Sequence, residues 1–309
     1  MNKKIAALFS VVIIIAFMGY ILIDSLKSGS EPAETPLPGE GMPEDMWQPA
    51  KEIKIDDGRL SSVACGSDAS VYLGGDSFII CLNPDFTRKW KLLTGSPVTA
   101  LAVSGDTVYA ASEEIITLAG TDGRLLTEWG PYETNSIITS VSCSRKYVGF
   151  ADAGSKRIFI LDKTGAVHSM VGQGEDNFII PSPYFDMALT DDQTFLAANT
   201  GMRRIETWST EGKLLSYFGE PGSAPGAFCG CCNPAHFTLI PGGLVTAEKG
   251  INRIKILSSD GSFNEFVTSR NKFTASLPLD IATLDGKTLF AANPGDSKLY
   301  IFIRKNDTK

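Results

Sequence analysis

Apolar positions along this chain come in short runs bounded by turn residues, and the same order of runs recurs six times. The clearest copy reads VYLGG from Val71, VYAAS from Val108, VGFADAG from Val148, FLAANTG from Phe195, LVTAEKG from Leu244 and LFAANPG from Leu289. The spacings are 37, 40, 47, 49 and 45 residues, which fits the roughly 40–50-residue period of propeller blades. A second apolar strand follows each copy, at 78–82, 115–118, 158–161, 205–208, 254–257 and 299–302. In the middle copies it ends in a turn, Asp122-Gly123, Thr164-Gly165, Glu211-Gly212 or Asp260-Gly261, where glycine supplies the positive φ of a hairpin. A further strand follows the turn, as at 125–129 and 214–218, and an inner strand precedes each copy, as at 100–103, 187–189 and 237–240. The pattern predicts an all-β fold, a six-bladed β-propeller of four-stranded antiparallel blades.

The sixth copy lacks its outer strand, since only polar and charged residues follow Phe302, whereas residues 52–55 alternate polar and apolar ahead of the first blade with no blade of their own. The two gaps fit each other. Residues 52–55 are expected to supply the missing strand and close the ring, removing exposed sheet edges.

Ahead of the repeats, Lys3 and Lys4 precede a run from Ile5 to Ile23 that is apolar apart from Ser10 and Gly19. At about 1.5 Å per residue it is long enough for a hydrocarbon core of roughly 30 Å. The run exceeds a signal-peptide core, and neither a small-x-small cleavage site nor a lipid-accepting cysteine follows it. Residues 1–24 are therefore expected to be a cytoplasmic tail and one N-terminal transmembrane helix. The lysines before the span set the orientation N-in, which places the rest in the periplasm or outside the cell. Residues 25–50, rich in Ser, Gly, Pro and Glu, read as a flexible tether, and residues 51–309 as the propeller.

Composition narrows the partners. The chain is 43% hydrophobic, enough for one large core, and its 28 Lys and Arg against 35 Asp and Glu give a formal charge of −7. No basic stripe interleaves with the aromatics, so nucleic acid is not an expected partner. The expected partners are the inner (cytoplasmic) membrane through the N-terminal helix, and other membrane or periplasmic proteins.

The residues from Tyr217 to Leu257, with FGEPGSAPGAF, a proline, and then LVTAEKGINRIKIL, resemble the NHL repeat. Arg157-Ile158, Arg204-Ile205 and Arg253-Ile254 stand at that family's arginine-isoleucine position, and Asp152, Asn199 and Glu248 near its acidic position. The resemblance implies the propeller fold and leaves function open, because such propellers include enzymes, scaffolds and protein-binding modules. The departure is the stretch Cys229-Gly230-Cys231-Cys232 before Pro234.

Of the six cysteines, Cys65 and Cys143 align with Val103, Leu189, Leu239 and Thr283 on inner strands, and Cys81 with Leu118, Leu161, Leu257 and Phe302; all three read as core residues. Cys229, Cys231 and Cys232 align with nothing in the other blades. Three thiolates on one loop are soft metal ligands, and with a fourth ligand such as His236 they suit an iron–sulfur cluster, copper or zinc. Two alternatives stay open: Cys229-x-x-Cys232 as redox thiols, or as a disulfide that stiffens the loop.

The chain has two histidines, His168 and His236. His168 is expected on the surface of a blade-three outer strand. No Gly-x-Ser-x-Gly elbow, His-Glu-x-x-His helix or phosphate loop is present. Asp186 and Asp280, at equivalent positions after Pro183 and Pro278, read as carboxylates of the channel wall, available to a divalent ion. Three functions follow: a membrane-anchored binding and redox module with a Cys-ligated centre, a lactonase- or lyase-like propeller enzyme with a metal in its channel, or a protein-interaction scaffold. Whether the chain is an enzyme stays open, with a non-catalytic role favoured. Removal of residues 1–28 is expected to leave a soluble, folded monomer, measured by size-exclusion chromatography and circular dichroism. Aggregation of that product beside a folded full chain in detergent contradicts the tether.

Overall fold

The structure is a computed structural model that describes Met18, residues 42–174, 176–269, Phe273 and 277–305. The expected transmembrane helix and most of the tether lie outside the described residues. Among the described residues no helix is long and apolar enough to cross a membrane.

The described residues from Pro43 onward form one compact unit. Its first strand, β1 (Trp47–Lys54), is followed by six sets of strands. Blade one is β2 (Leu60–Cys65), β3 (Val71–Gly75), β4 (Phe78–Leu82) and β5 (Arg88–Leu93); blade two is β6 (Ala100–Ser104), β7 (Thr107–Ser112), β8 (Ile115–Gly120) and β9 (Leu125–Trp129). Blade three is β10 (Ile138–Cys143), β11 (Val148–Asp152), β12 (Arg157–Leu161) and β13 (Val167–Val171). Blade four is β14 (Met187–Leu189), β15 (Thr194–Asn199), β16 (Arg204–Ser209) and β17 (Leu214–Phe218). Blade five is β18 (His236–Ile240), β19 (Gly243–Ala247), β20 (Ile254–Ser258) and β21 (Phe263–Thr268). Blade six takes β22 (Asp280–Thr283), β23 (Thr288–Asn293) and β24 (Lys298–Arg304), and completes its sheet with β1.

All pairings within the blades are antiparallel, and the inner strands touch one another in the cyclic order β2, β6, β10, β14, β18, β22 and back to β2. Each blade buries both faces of its two middle strands against its neighbours, so those strands are mostly apolar; β3, β4 and β11 are buried at every position. Outer strands such as β9 face solvent along most of their length. Six apolar clusters result, one between each pair of adjacent blades. The turn glycines fit this packing. Gly165 has φ +89°, and a Cβ there would stand 2.7 Å from the Trp129 ring of the preceding blade, so a hairpin turn and an interblade contact share one residue without a side chain.

The ring closes as expected, through β1 and β24, but the closing strand is longer than 52–55. It begins at Trp47, within the stretch that composition assigned to the tether, and its register runs from Trp47 opposite Arg304 to Lys54 opposite Lys298, with a bulge between Pro49 and Lys51 where proline lacks a donor. Ile55 leaves the strand and donates its N–H to Ser297 O at 2.8 Å. One aromatic outweighs the polar composition around it: Trp47 is 2% exposed in the core between blades five and six, and its indole N–H donates to Glu265 Oε1 at 2.8 Å.

Trp47→Ala is expected to lower the unfolding free energy of the propeller by about 3 kcal/mol or more, as for other buried aromatics. The urea midpoint measures it. A loss under about 0.5 kcal/mol, the size of a surface substitution, would show that closure does not depend on this anchor.

Candidate functional site

Strand register defines one equivalent position per blade near the start of each inner strand. In blades one, two, three, five and six it is the residue opposite Gly74, Ala111, Ala151, Ala247 and Ala292, that is Ser62, Ala100, Ser140, His236 and Asp280. In blade four Met187 pairs with Ala197, and Asp186, whose carbonyl accepts the Ala198 N–H, occupies the same place. Blades one to three thus carry small neutral residues, and blades four to six carry Asp, His, Asp.

These three side chains converge. His236 Nδ1 lies 3.8 Å from Asp186 Oδ2 and 3.7 Å from Asp280 Oδ1. The carboxylates also bind one blade to the next. Asp186 accepts the N–H groups of Met187 and of Phe237 in blade five, at 2.8 and 2.7 Å, and the Ser140 hydroxyl of blade three at 2.5 Å. Asp280 accepts the N–H of Ile281 at 2.9 Å and of Val63 in blade one at 2.8 Å. They are therefore latches as well as channel-wall acids. Burial raises both carboxyls, Asp280 to about 6, against the lowering effect of His236.

The half-ring stands between two spaces. A channel cavity of about 290 Å³ is lined by all six inner strands, Cys65 and Cys143 among them. These two thiols pack against the interblade cores and also face the channel, and burial pushes each up to about 12. Cys81 is fully buried. A mouth cavity of about 380 Å³ opens over His236, with Tyr184, Thr139, Pro183 and Pro278 in its wall. His168 is on β13, stacked on Tyr147 at 4.7 Å between ring centroids.

The cysteine loop reaches β18 from the end of β17, and a buried polar frame holds it. Glu248 Oε1 receives Arg253 Nε at 2.6 Å and lies 3.1 Å from Lys255 Nζ, with all three side chains at or below 1% exposure. The two cations pull in loop carbonyls: Arg253 donates to Ser223 O, Ala224 O and Ala227 O, and Lys255 to Ala227 O at 2.6 Å. Burial pushes the Lys255 ammonium down to about 8. Glu248 Oε2 accepts the Cys229 N–H at 3.4 Å. Asn233, 1% exposed, donates to Cys229 O and to Lys249 O (2.9 Å), and accepts Lys249 N–H at 2.7 Å.

Within that frame Gly230 turns at φ +77°, and Cys231 and Cys232 follow with their sulfurs 3.2 Å apart. Cys231 is exposed and Cys232 buried; burial raises the Cys232 thiol. All six cysteines are free, Cys229 and Cys232 included. The structure thus brings Cys231 and Cys232 together and sets His236 between the two aspartates. Among the described residues no group of three or more His, Cys, Asp or Glu is arranged to hold a metal ion. The neighbours are nonetheless shared: Ser182 borders Cys232, the Lys249 ammonium lies 4.6 Å over the Tyr184 ring, and that ring packs edge-on to His236 at 6.5 Å. The place of His236 was legible in its pairing with Ala247, the residue before Glu248, as Asp186 stands opposite the residue before Asn199.

By sequence, no family model and no curated protein matches the chain. By structure, the chain is similar to a streptogramin B lyase, with 14% identity, TM-score 0.61, and 84% of this chain and 98% of that one covered. It is similar also to a catalytically inactive histidine-to-alanine variant of virginiamycin B lyase from Staphylococcus aureus with quinupristin (15%, TM-score 0.55, 83% and 99%). A third neighbour is the WD40 β-propeller domain of Doa1 (17%, TM-score 0.58, 79% and 78%). At these identities the likeness establishes the propeller fold alone.

The raised carboxyl of Asp280 gives a pH signature. A folded-state pKa near 6 against about 3.8 unfolded means that the folded chain binds more protons between those values. The contribution of this group to stability is fully present below pH 4 and is lost as the pH rises through 6. Asp280→Asn removes that loss, so relative to wild type the variant should gain on the order of 2 kcal/mol between pH 4 and 7. Urea midpoints across that range measure it, and a pH-independent difference means that the carboxyl titrates normally.

Proposed function

We propose that the protein is a membrane-anchored, extracytoplasmic NHL-type propeller that serves as a binding and redox module, with the Cys231–Cys232 dithiol as its working group. The observation that carries this reading is the 3.2 Å approach of two adjacent sulfurs on a loop framed by buried Glu248, Arg253, Lys255 and Asn233. A buried ion cluster costs desolvation and stabilises only when fully paired, and here Glu248, Arg253 and Lys255 direct their remaining hydrogen bonds to the carbonyls and the Cys229 N–H of this loop. The anchor rests on the apolar run from Ile5 to Ile23, and the NHL assignment on the motif around Arg253-Ile254.

The donor set decides which metal suits the loop. Zinc and iron–sulfur centres take four ligands, and the loop presents two converged sulfurs, with Cys229 and its backbone held alongside. Copper(I) is soft, prefers thiolates and accepts a low coordination number, so it fits best. Cys231 and Cys232 would hold it, and a bound copper(I) supplies one-electron chemistry near electron-transfer partners at the membrane.

A second reading has its own observation, the Asp186–His236–Asp280 half-ring under a mouth cavity of about 380 Å³. An imidazole braced by two carboxylates can donate or accept a proton at a ligand in that cavity, as a lyase or lactonase requires. Incubating the protein with virginiamycin B and with simple lactones tests it: turnover abolished by His236→Ala supports an enzyme, and no turnover of either class removes the reading.

For the first reading, the reduced full chain in detergent is expected to bind about one copper(I) per chain in the presence of a competing chelator, with zinc bound far more weakly. Cys231→Ser and Cys232→Ser should each abolish binding and leave the thermal midpoint within a few degrees of wild type. Binding unaffected by either substitution, or none in wild type, overturns it.

A further inference from the structure

We infer that Cys231 and Cys232 close reversibly into a vicinal disulfide and thereby exchange an electron pair with a partner that presents a dithiol or disulfide. The inference rests on the dithiol reading above and departs from the Cys-x-x-Cys spacing, which would pair Cys229 with Cys232. The contact runs instead between neighbours in sequence. Their sulfurs stand 3.2 Å apart, so a bond of about 2.05 Å needs an approach of about 1 Å, made by side-chain rotation together with torsion of the backbone between Cys231 and Cys232.

The loop frame favours this pair over any other. Backbone N–H and C=O of Cys229 are both held, by Glu248 and Asn233, and the chain on the far side is held by Asn233 through Lys249. Between those fixed points lie the turn and the two sulfurs. One is exposed and one buried, the division of labour that exchange requires, since an incoming partner reaches Cys231 and Cys232 is sheltered until a mixed disulfide has formed.

Adjacency also sets the character of the bond. Consecutive Cα atoms are about 3.8 Å apart, below the usual 4.4–6.8 Å span of a disulfide. A bond closed across that distance is strained, and strained disulfides are the easily reduced, exchangeable ones. The pair therefore suits electron transfer better than stapling.

The exchange balances as follows. Cys231, as thiolate, attacks one sulfur of the partner disulfide; that S–S bond breaks, and the leaving sulfur takes up a proton. Cys232 then loses its proton and attacks Cys231 Sγ, which breaks the mixed disulfide and releases the second partner sulfur as a thiol. The partner gains two electrons and two protons, and Cys231 and Cys232 lose the same number. Reversal returns them and restores the metal-binding dithiol.

The test uses the full chain in detergent, free of metal, equilibrated with glutathione and glutathione disulfide over a range of ratios, quenched with acid and mapped by mass spectrometry. Wild type is expected to become lighter by two hydrogens in one reversible step, with the crosslink between Cys231 and Cys232 and no lasting glutathione adduct. Cys229→Ser should behave as wild type. Cys232→Ser and Cys232→Ala should each trap a glutathione adduct on Cys231, which also shows that the loop is intact and reactive. A crosslink between Cys229 and Cys232, or an adduct on Cys231 that persists in wild type, overturns the inference. Copper(I) binding by the reduced protein is read separately, so a chain that binds copper but never crosslinks sinks the exchange alone, and one that crosslinks without binding copper sinks the metal reading alone.

Discussion

A sheet repeated around an axis is stable only if the last sheet meets the first, and here that junction is made by hydrogen bonds between the two ends of the folded chain, Trp47–Lys54 against Lys298–Arg304. Everything else depends on this closure. Without β1, blade six ends in an open edge, and Trp47 no longer covers the cluster between blades five and six. With it, every middle strand is enclosed on both faces. The same six interfaces set the position of the inner strands, and so the register that brings Asp186, His236 and Asp280 to one level of the channel.

The polar residues that break the apolar pattern are placed where blades must be joined at their loops. Asp152 in blade three accepts the N–H groups of Ile137 and Gly154. In blade four Asn199 takes the Ile179 N–H and donates to Glu206. Blade five repeats the device with Glu248, and adds a second buried cation, Lys255, to Arg253. The addition coincides with the one loop that carries cysteines, so the extra desolvated charge and the loop it holds are parts of one construction. The frame makes the sulfur contact a property of the fold.

Much of this was legible in the chain because burial on both faces writes itself as continuous apolar runs, and the second and third strands of each blade fell where those runs do. The inner-strand alignment of Cys65, Val103, Cys143, Leu189, Leu239 and Thr283 is matched residue for residue by the register, each opposite the first apolar residue of the second strand. Trp47 was hidden by Pro and Glu around it, since composition averages over the single side chain that anchors the strand. His236 lies four residues after Cys232 in sequence, which drew it to the loop; strand pairing turns it to the channel instead. The meeting of Cys231 with Cys232 depends on the torsions of those two residues, and no spacing rule encodes a torsion. The family resemblance foretold the architecture, and comparison by structure supports that architecture without reaching the family.

The Asp, His, Asp half-ring has a consequence for how such a molecule changes over time. The six register-equivalent positions share one backbone environment, yet only three carry ionisable groups, on consecutive blades. For any ligand entering along the axis the wall would present two unlike halves and would favour one rotational orientation, as a keyway does for a key. Ser62, Ala100 and Ser140 leave the opposite half unwritten, so new side chains can enter there one blade at a time while the first half keeps its hold.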